Sequence, residues 1–164
     1  KSILKIDSKR GVPMIIELAQ NKDKHRIAEL DRHIPPSRLG ECICNGLIYV
    51  LKDDSVKNEG QNNRLKAPVV GVLRYSLFWQ TIPFLDLLYI DETYRNQGFG
   101  TLMMHEWEKA MAACRYEYLM TSTQADEQAW RFYEKLGFRK VGGFFLPEQE
   151  AEEWMYLKRL APSE

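Results

Sequence analysis

The sequence lacks an excess of charge of either sign. Its 164 residues carry 23 basic and 23 acidic side chains, which gives a formal net charge of zero at pH 7. Proteins that bind nucleic acid or an anionic membrane surface through bulk electrostatics carry a clear basic excess. The charge balance therefore argues against a nucleic-acid partner and against binding to a membrane surface.

Cysteines and long apolar runs are also scarce. The three cysteines, Cys42, Cys44 and Cys114, lack the paired spacing of a zinc site, and the sequence has only three histidines. We interpret the cysteines as reduced thiols and predict no bound metal. No apolar run approaches the length of a membrane span, and the first residues lack the shape of a signal peptide. A cytoplasmic protein without a membrane partner is therefore expected.

The composition is that of an ordinary globular domain, with 45% hydrophobic and 28% charged residues. A chain of this length can bury a sizeable core. It has no internal repeat, low-complexity tract or linker that would divide it. We predict a single domain over residues 1–164, with residues 1–12 as a peripheral N-terminal extension.

Apolar periodicity predicts an α/β (α+β) domain in which strands and helices alternate. Seven strands are predicted, at 14–19, 47–52, 69–77, 82–90, 118–123, 138–146 and 153–160. Four helices are predicted, at 22–32, from 36 to about 45, after the glycines at 98 and 100, and at 125–136. A hairpin turn is predicted at 78–81, and the polar segment 53–67 is predicted to be a mobile or functional loop.

Two closely spaced glycines, Gly98 and Gly100, lie between the apolar strand 85–90 and an amphipathic helix. Glycine permits positive φ and the close approach of another group to the main chain. A strand, a glycine turn and a helix start together indicate an anion-binding site. Neither the Walker spacing nor the dinucleotide fingerprint is present. The alternative is a plain turn that uses glycine for its shape.

The segment Arg95-Asn-Gln-Gly-Phe-Gly100 fits the pattern Gln/Arg-x-x-Gly-x-Gly/Ala and resembles the pyrophosphate loop of the GCN5-related N-acetyltransferase (GNAT) family. The stretch from Gln128 to Phe138 resembles the second signature of the family, Ala-x-x-Phe-Tyr-x-x-x-Gly-Phe. The resemblance covers residues 69–141 well and the first third of the chain by order of elements. It implies the GNAT fold, a mixed bent sheet of about seven strands flanked by about four helices.

The resemblance implies that acetyl-CoA is the cosubstrate. Backbone N–H groups from 97 to 101 would hold its pyrophosphate, and Arg95 would add a charged contact. Main-chain groups of the preceding strand would pair with the pantetheine arm, and an N–H near Leu88 would bind the thioester oxygen. Asp126 stands where the family often has asparagine, so the amide contact could come from a neighbouring glutamine instead. The implied cofactor-binding residues are Leu88, Tyr89, Ile90, Arg95, Asn96, Gln97, Gly98, Phe99, Gly100, Thr101 and Asp126.

Tyr133 is the residue that the resemblance places near the thioester sulfur. A phenol can donate a proton to a departing thiolate, which makes Tyr133 the candidate general acid. The alternative is core packing with a locally satisfied hydroxyl. The sequence pattern predicts an inward stripe of Ala125, Ala129, Phe132 and Leu136, with Tyr133 at the edge of the core.

The general base is harder to assign. Asp86 is the nearest carboxylate on the corresponding strand, whereas Phe84 takes the place of the family's glutamate. An ion pair of Asp86 with Arg74 across the hairpin is the structural alternative, and proton removal through water also remains open. Around the hairpin, Phe78, Trp79 and Phe84 would shape the acceptor side, or would belong to the core.

The expected activity is the direct transfer of acetyl to a primary amine of a small molecule or a peptide. The alternative is a non-catalytic acyl-CoA sensor or interaction domain, which would bind the cofactor without turnover. A homodimer is compatible with the sequence.

Overall fold

The computed structural model describes residues 4–7, 11–55 and 67–161. The greater part of the predicted loop at 53–67 therefore lies outside the described residues. Contacts group the chain into two compact units, each containing two segments. Unit 1 consists of Lys1–Arg74 and Leu87–Glu106, and unit 2 of Tyr75–Asp86 and Trp107–Glu164.

The described residues form eight β-strands and four α-helices. The strands are β1 (Leu4–Asp7), β2 (Pro13–Leu18), β3 (Ile48–Asp53), β4 (Val69–Phe78), β5 (Ile82–Ile90), β6 (Tyr118–Gln124), β7 (Arg139–Phe144) and β8 (Glu153–Arg159). The helices are α1 (Lys24–Leu30), α2 (Pro36–Cys44), α3 (Phe99–Ala113) and α4 (Ala129–Lys135). The predicted order of elements is confirmed from β2 onwards. Strand β1 is an addition, formed within the segment predicted to be a peripheral extension.

The strands form one mixed sheet in the order β1-β2-β3-β4-β5-β6-β8-β7. Strands β1 to β4 pair antiparallel in sequence order, and β8 pairs antiparallel with both β6 and β7. Strands β5 and β6 pair in parallel, in a short register of Phe84 with Met120 and Leu85 with Thr121. The predicted mixed α/β class is thereby confirmed.

The core of unit 1 is an aliphatic cluster between the first two helices and strands β3 and β4. Ile27 of α1 and Leu39 of α2 are almost completely buried against Ile48, Val50 and Val72. Helix α2 begins at Pro36, where a proline at the first helical position loses no hydrogen bond. The helical spacing of these apolar residues thus corresponds to the buried face.

The core of unit 2 is aromatic. The Tyr133 ring centroid lies 5.5 Å from that of Phe132, 6.0 Å from that of Phe138 and 6.5 Å from that of Tyr156. The predicted stripe of α4 is therefore wrong, because Tyr133 is the buried residue of this helix while Phe132 and Leu136 are half-buried. The helix also begins at Ala129, four residues later than predicted, so its register against the core differs.

Helix α3 buries a methionine-rich stripe. Met103, Met104, Trp107 and Met111 are all at most 3% exposed. Cys114, one helical turn beyond Met111, is exposed and follows the end of the helix at Ala113. The stripe therefore follows the helical period only as far as Met111.

The predicted turn between β4 and β5 is a tight β-turn over residues 78–81. The Thr81 N–H donates to the Phe78 carbonyl at 3.1 Å, and both central residues have positive φ, 53° at Trp79 and 64° at Gln80. This conformation matches the twist of paired strands but usually contains glycine or asparagine. The Trp79 side chain is 78% exposed, so it does not belong to the core.

Candidate active site

The segment 91–98, which we call the glycine loop, connects β5 to α3 within unit 1. Its first residue, Asp91, donates its backbone N–H to Val70 O at 2.8 Å. The Asp91 carboxylate accepts from the backbone N–H and the hydroxyl of Thr93, which caps the short 3₁₀ turn Glu92–Tyr94. Arg26 of α1 also reaches this carboxylate, with Nη2 at 3.1 Å. The beginning of the loop is therefore held by side chains and by the sheet.

Positive φ angles determine the shape of the second half of the glycine loop. Asn96 has φ of 60° and Gly98 has φ of 87°. Asparagine tolerates this left-handed region, whereas a residue with a larger side chain would be strained at position 98. A Cβ placed on Gly98 would meet no heavy atom within 4 Å, so the space in front of this glycine is open. A ligand can therefore approach the main chain here.

The N-terminus of α3 follows directly and presents free donors. The first intrahelical bond runs from Leu102 N–H to Gly98 O at 3.1 Å. The backbone N–H groups of Phe99, Gly100 and Thr101 precede this bond and have no acceptor within the helix. Their positive partial charge, together with the helix dipole, favours an anion at this position. Helix α3 has 15 residues, so its dipole is fully developed.

The side chains of Arg95 and Gln97 stabilise the glycine loop by hydrogen bonds to nearby backbone carbonyls. Arg95 donates Nε–H to the Ile90 carbonyl at 2.8 Å, and its guanidinium lies 5.2 Å from the centre of the Tyr89 ring. Gln97 donates Nε2–H to the Thr93 carbonyl at 3.1 Å. The Arg95 side chain is 46% exposed, and its Nη1 lies 3.9 Å from the exposed carboxylate of Glu92. The phosphate contact of Arg95 stays a prediction.

Leu88, Tyr89 and Ile90 form the end of β5 and lead into the glycine loop. All three are half-buried, and Ile90 supplies the carbonyl that Arg95 binds. Gly71 of β4 lies so close that a Cβ on it would come within 2.8 Å of the Ile90 side chain. The predicted residues 88–90 and 95–101 therefore all belong to unit 1, at the end of β5, in the glycine loop and at the start of α3.

Tyr133 lies in unit 2, where its side chain is 8% exposed. Burial raises the pKa of its phenol above the ordinary value of 10.0, and the charge of Glu127 raises it further, although a hydrogen bond with Thr121 lowers it. The Thr121 hydroxyl donates to the Leu85 carbonyl at 3.1 Å. Because the net effect is a raised pKa, the Tyr133 phenol is protonated at neutral pH.

The two predicted carboxylates also lie in unit 2, and both are exposed. Asp86 on β5 accepts a hydrogen bond from the Ser76 hydroxyl at 2.9 Å. Arg74, which was predicted to pair with Asp86, lies in unit 1 and donates Nε–H to the buried carboxylate of Asp31 at 2.6 Å. The pairing of Arg74 with Asp86 stays a prediction. Asp126 was predicted to lie on the helix 125–136. In the structure it lies in a turn that precedes α4.

One interaction at the glycine loop has no counterpart in the sequence predictions. Tyr94 donates its hydroxyl to Asp53 Oδ2 at 2.7 Å and thereby joins the loop to the end of β3. The two residues are 41 positions apart, so no local pattern indicates the pair. The capping role of Asp91, by contrast, could have been inferred, since aspartate before a short helical turn is a typical N-cap.

Within residues 4–7, 11–55 and 67–161, no cluster of three or more His, Cys, Asp and Glu side chains is arranged to hold a metal ion. In the same part of the chain, no helix is both long enough and apolar enough to cross a membrane.

Known structures with the same fold are numerous. Ard1 from Thermoplasma volcanium is 15% identical with a TM-score of 0.74, over 90% of this chain and 98% of that chain. NAA60 from Arabidopsis thaliana, solved with a bisubstrate analogue, is 15% identical with a TM-score of 0.71, over 92% and 99%. N-acetylglutamate synthase from Neisseria gonorrhoeae, solved with coenzyme A and N-acetyl-glutamate, is 15% identical with a TM-score of 0.70, over 90% and 35%.

These structural similarities show the fold, and the sequence itself shows the family. A search of curated proteins finds no match to this sequence. The Acetyltransferase (GNAT) family matches residues 15–138. Because this match spans well over half of the sequence, the chain belongs to the GNAT family of acetyltransferases.

Proposed function

We propose that this protein transfers an acetyl group directly from acetyl-CoA to a primary amine. The observation that carries the proposal is the start of α3, where three free N–H groups follow a left-handed glycine with open space in front of it. A pyrophosphate needs such a group of donors, and the helix dipole adds to their attraction. The similar synthase from Neisseria gonorrhoeae was solved with coenzyme A bound.

The chain's own residues fit the rest of the cosubstrate. The N–H groups of Phe99, Gly100 and Thr101 would bind the pyrophosphate, and the exposed end of Arg95 would add a charge-assisted contact. The short register of β5 with β6, which ends at Leu85, supports a role for the main chain of residues 88–90 in pairing with the pantetheine arm. An N–H near Leu88 would then stabilise the oxyanion of the tetrahedral intermediate.

Tyr133 would supply the proton in the second half of the reaction. The amine nitrogen forms a bond to the thioester carbon, the C–S bond breaks, and the leaving thiolate takes a proton from the phenol. Since the pKa of Tyr133 is raised above 10.0, the phenol carries its proton throughout the neutral range and has one to donate. The Tyr133 hydroxyl would exchange its hydrogen bond with Thr121 for one to the thioester sulfur during the reaction.

The proton lost by the amine would go to Asp86 or to water. Asp86 is exposed on β5 and already accepts from Ser76, which orients the carboxylate. If Asp86 is the base, Asp86→Asn should lower kcat at least as much as Tyr133→Phe, and the loss should grow as the pH falls below the pKa of the amine. A change of less than about twofold in kcat would leave water as the proton carrier.

The acceptor would approach the side of the molecule formed by the β4–β5 hairpin. The rings of Phe78 and Trp79 lie 4.7 Å apart, and those of Phe78 and Phe84 lie 6.2 Å apart. A cluster of one exposed ring, Trp79, and two half-buried rings on a hairpin suits an amine carried on an apolar or aromatic group. The acceptor class remains a primary amine of a small molecule or a peptide; NAA60, a structural neighbour, was solved with a bisubstrate analogue.

An amine panel tests the proposal. The protein is incubated with acetyl-CoA and with small amines, aminoglycosides or peptides with free N-termini, and the release of CoA thiol is followed. We expect amine-dependent thiol release with formation of the N-acetyl product. Tight binding of acetyl-CoA without turnover across the panel would favour the non-catalytic sensor instead.

A further inference from the structure

The glycine loop is fastened to the rest of unit 1 by side chains at two of its residues. Asp91 accepts from Arg26 of α1, and Tyr94 donates to Asp53 at the end of β3. The hydrogen bonds of Arg95 and Gln97 remain within the segment from residue 90 to residue 97. They maintain the shape of the loop but do not attach it to another element, so the attachment closest to Gly98 is the one at Tyr94.

Packing around this attachment is incomplete, although Phe99 at the start of α3 is 2% exposed. A pocket of about 240 Å³ lies between the glycine loop and strands β2 and β3, and its lining includes Met14, Asp53, Thr93, Tyr94 and Gln97. A loop over such a space has fewer van der Waals contacts than one that lies on a filled core. The hydrogen bond between Tyr94 and Asp53, which both line this pocket, joins the loop to β3 across it.

The charge states make this hydrogen bond strong. Burial and the bond to Asp53 raise the pKa of the Tyr94 phenol to about 12, so the donor keeps its proton. Burial alone would raise the pKa of Asp53, but hydrogen bonds from Ser55 and Tyr94 outweigh it and hold the pKa below its usual value. A neutral phenol thus donates to an ionised carboxylate, and such charge-assisted bonds are stronger than neutral ones.

Ser55 fixes the acceptor in turn. Asp53 Oδ1 accepts from the Ser55 backbone N–H at 2.9 Å and from the Ser55 hydroxyl, which leaves Oδ2 directed at Tyr94. Asp53 is buried, with 5% of the residue exposed, so water competes little for its carboxylate. Ser55 therefore orients the Asp53 carboxylate independently of the glycine loop.

We propose that Tyr94 and Asp53 are positioning residues for acetyl-CoA, because their hydrogen bond sets the position of the glycine loop and hence of the pyrophosphate donors at the start of α3. This inference rests on the proposed function. It assigns no contact with the cosubstrate to either residue. Their effect should therefore be confined to the part of acetyl-CoA that the loop would bind.

The test compares two acetyl donors, acetyl-CoA and S-acetylpantetheine, which lacks the pyrophosphate and the nucleotide. Donor kinetics are measured with an amine that supports turnover, and acetyl-CoA affinity is also measured by calorimetry. The variant Tyr94→Phe keeps the ring and its contact with Phe99, whose centroid is 6.5 Å away. Tyr118→Phe, which removes a hydroxyl from a half-buried tyrosine in unit 2, is the matched control.

We expect Tyr94→Phe to raise the KM and the Kd for acetyl-CoA by about tenfold, in line with the loss of a hydrogen bond to a charged group. The kcat, and kcat/KM for S-acetylpantetheine, should change by less than about twofold. Asp53→Asn retains an acceptor oxygen and should have a smaller effect than Asp53→Ala. The double variant Tyr94→Phe/Asp53→Ala should lose little more than Asp53→Ala alone, since both changes remove one interaction.

The inference and the proposed function fail in different ways. If the wild-type protein uses both donors equally well, pyrophosphate binding by the glycine loop is refuted. If the wild type prefers acetyl-CoA and Tyr94→Phe retains that preference in full, the positioning role alone is overturned. An equal loss with both donors, or a fall in kcat without a change in KM, would also overturn it.

Discussion

Replacing Tyr133 with phenylalanine separates chemistry from packing at the proposed general acid. The ring contacts with Phe132, Phe138 and Tyr156 do not involve the hydroxyl, so the variant should keep them. The change removes one proton donor and one hydrogen bond, the bond with Thr121. Thr121 still donates to the Leu85 carbonyl, so no buried donor is left unsatisfied.

The two effects differ in size. One neutral hydrogen bond contributes about 1 kcal/mol to stability, which for a domain of this length lowers Tm by about 2–4 °C. General-acid assistance is worth about 10²- to 10⁴-fold, and we expect the lower end because a CoA thiolate is already a fair leaving group. A hundredfold loss in kcat corresponds to about 2.7 kcal/mol of transition-state stabilisation. The loss of rate should therefore exceed anything that the loss of stability can explain.

The assay follows single turnovers, so that chemistry and not product release limits the rate. Tyr156→Phe is the matched control, since Tyr156 belongs to the same aromatic cluster and its hydroxyl binds Glu134 at 3.4 Å. We expect Tyr133→Phe to lose turnover while it retains acetyl-CoA affinity, and Tyr156→Phe to retain both. A Tyr133→Phe enzyme with the wild-type single-turnover rate would remove Tyr133 from the mechanism.

Three further predictions concern the acceptor side and the electrostatics of unit 1. Trp79→Ala should raise the KM of the acceptor more than that of acetyl-CoA and leave Tm nearly unchanged, because this side chain is 78% exposed; equal effects on both KM values would refute the acceptor role. Lys52→Met should cost about 3–5 kcal/mol in denaturant unfolding, because the buried ammonium lies 2.7 Å from Glu17 and 2.9 Å from Asp23; a loss below about 1 kcal/mol would contradict this. Since the pKa of Asp53 is lowered on folding, its stabilising contribution is present above the unfolded value near 3.8 and is lost as the pH falls through the folded value. Asp53→Asn should therefore flatten the acid-unfolding curve below about pH 4, and an unchanged curve would refute the shift.

Local sequence signals were sufficient where an element begins or ends at a residue with its own conformational preference. Strand β5 was predicted at 82–90 and has those bounds, since a turn precedes it and the capping Asp91 follows it. Helix α2 begins at Pro36 as predicted, and Gly137 follows α4 with φ of 88°. In each case the backbone geometry depends on one or two neighbouring residues.

Tertiary contacts decided the elements that the sequence pattern missed. The residues 125–128 are compatible with a helix, but the Ala125 N–H donates to the Glu152 carbonyl at 2.8 Å, and Thr123 binds the Glu127 carboxylate. These bonds hold a turn there and delay α4. Strand β1 has four residues, and its pairing with β2 stabilises what its own sequence only weakly specifies.

The candidate site shows the same division. The glycine loop could be predicted because its glycines, its charge and the helix that follows are contiguous in the sequence. The bonds between Tyr94 and Asp53 and between Arg74 and Asp31 join residues 41 and 43 positions apart. No periodicity or motif spans such a separation, so these contacts emerge only from the fold.

Calorimetric titration of acetyl-CoA into the wild-type protein and a Gly100→Glu variant tests the pyrophosphate site most directly. The added carboxylate would place a side chain and a negative charge among the donors at the start of α3. Gly142→Glu, on the exposed strand β7 where a Cβ meets no atom within 4 Å, introduces the same group as a control. We expect binding to the wild type and to Gly142→Glu, and none to a folded Gly100→Glu. Unchanged affinity in the folded Gly100→Glu protein would contradict the proposed site.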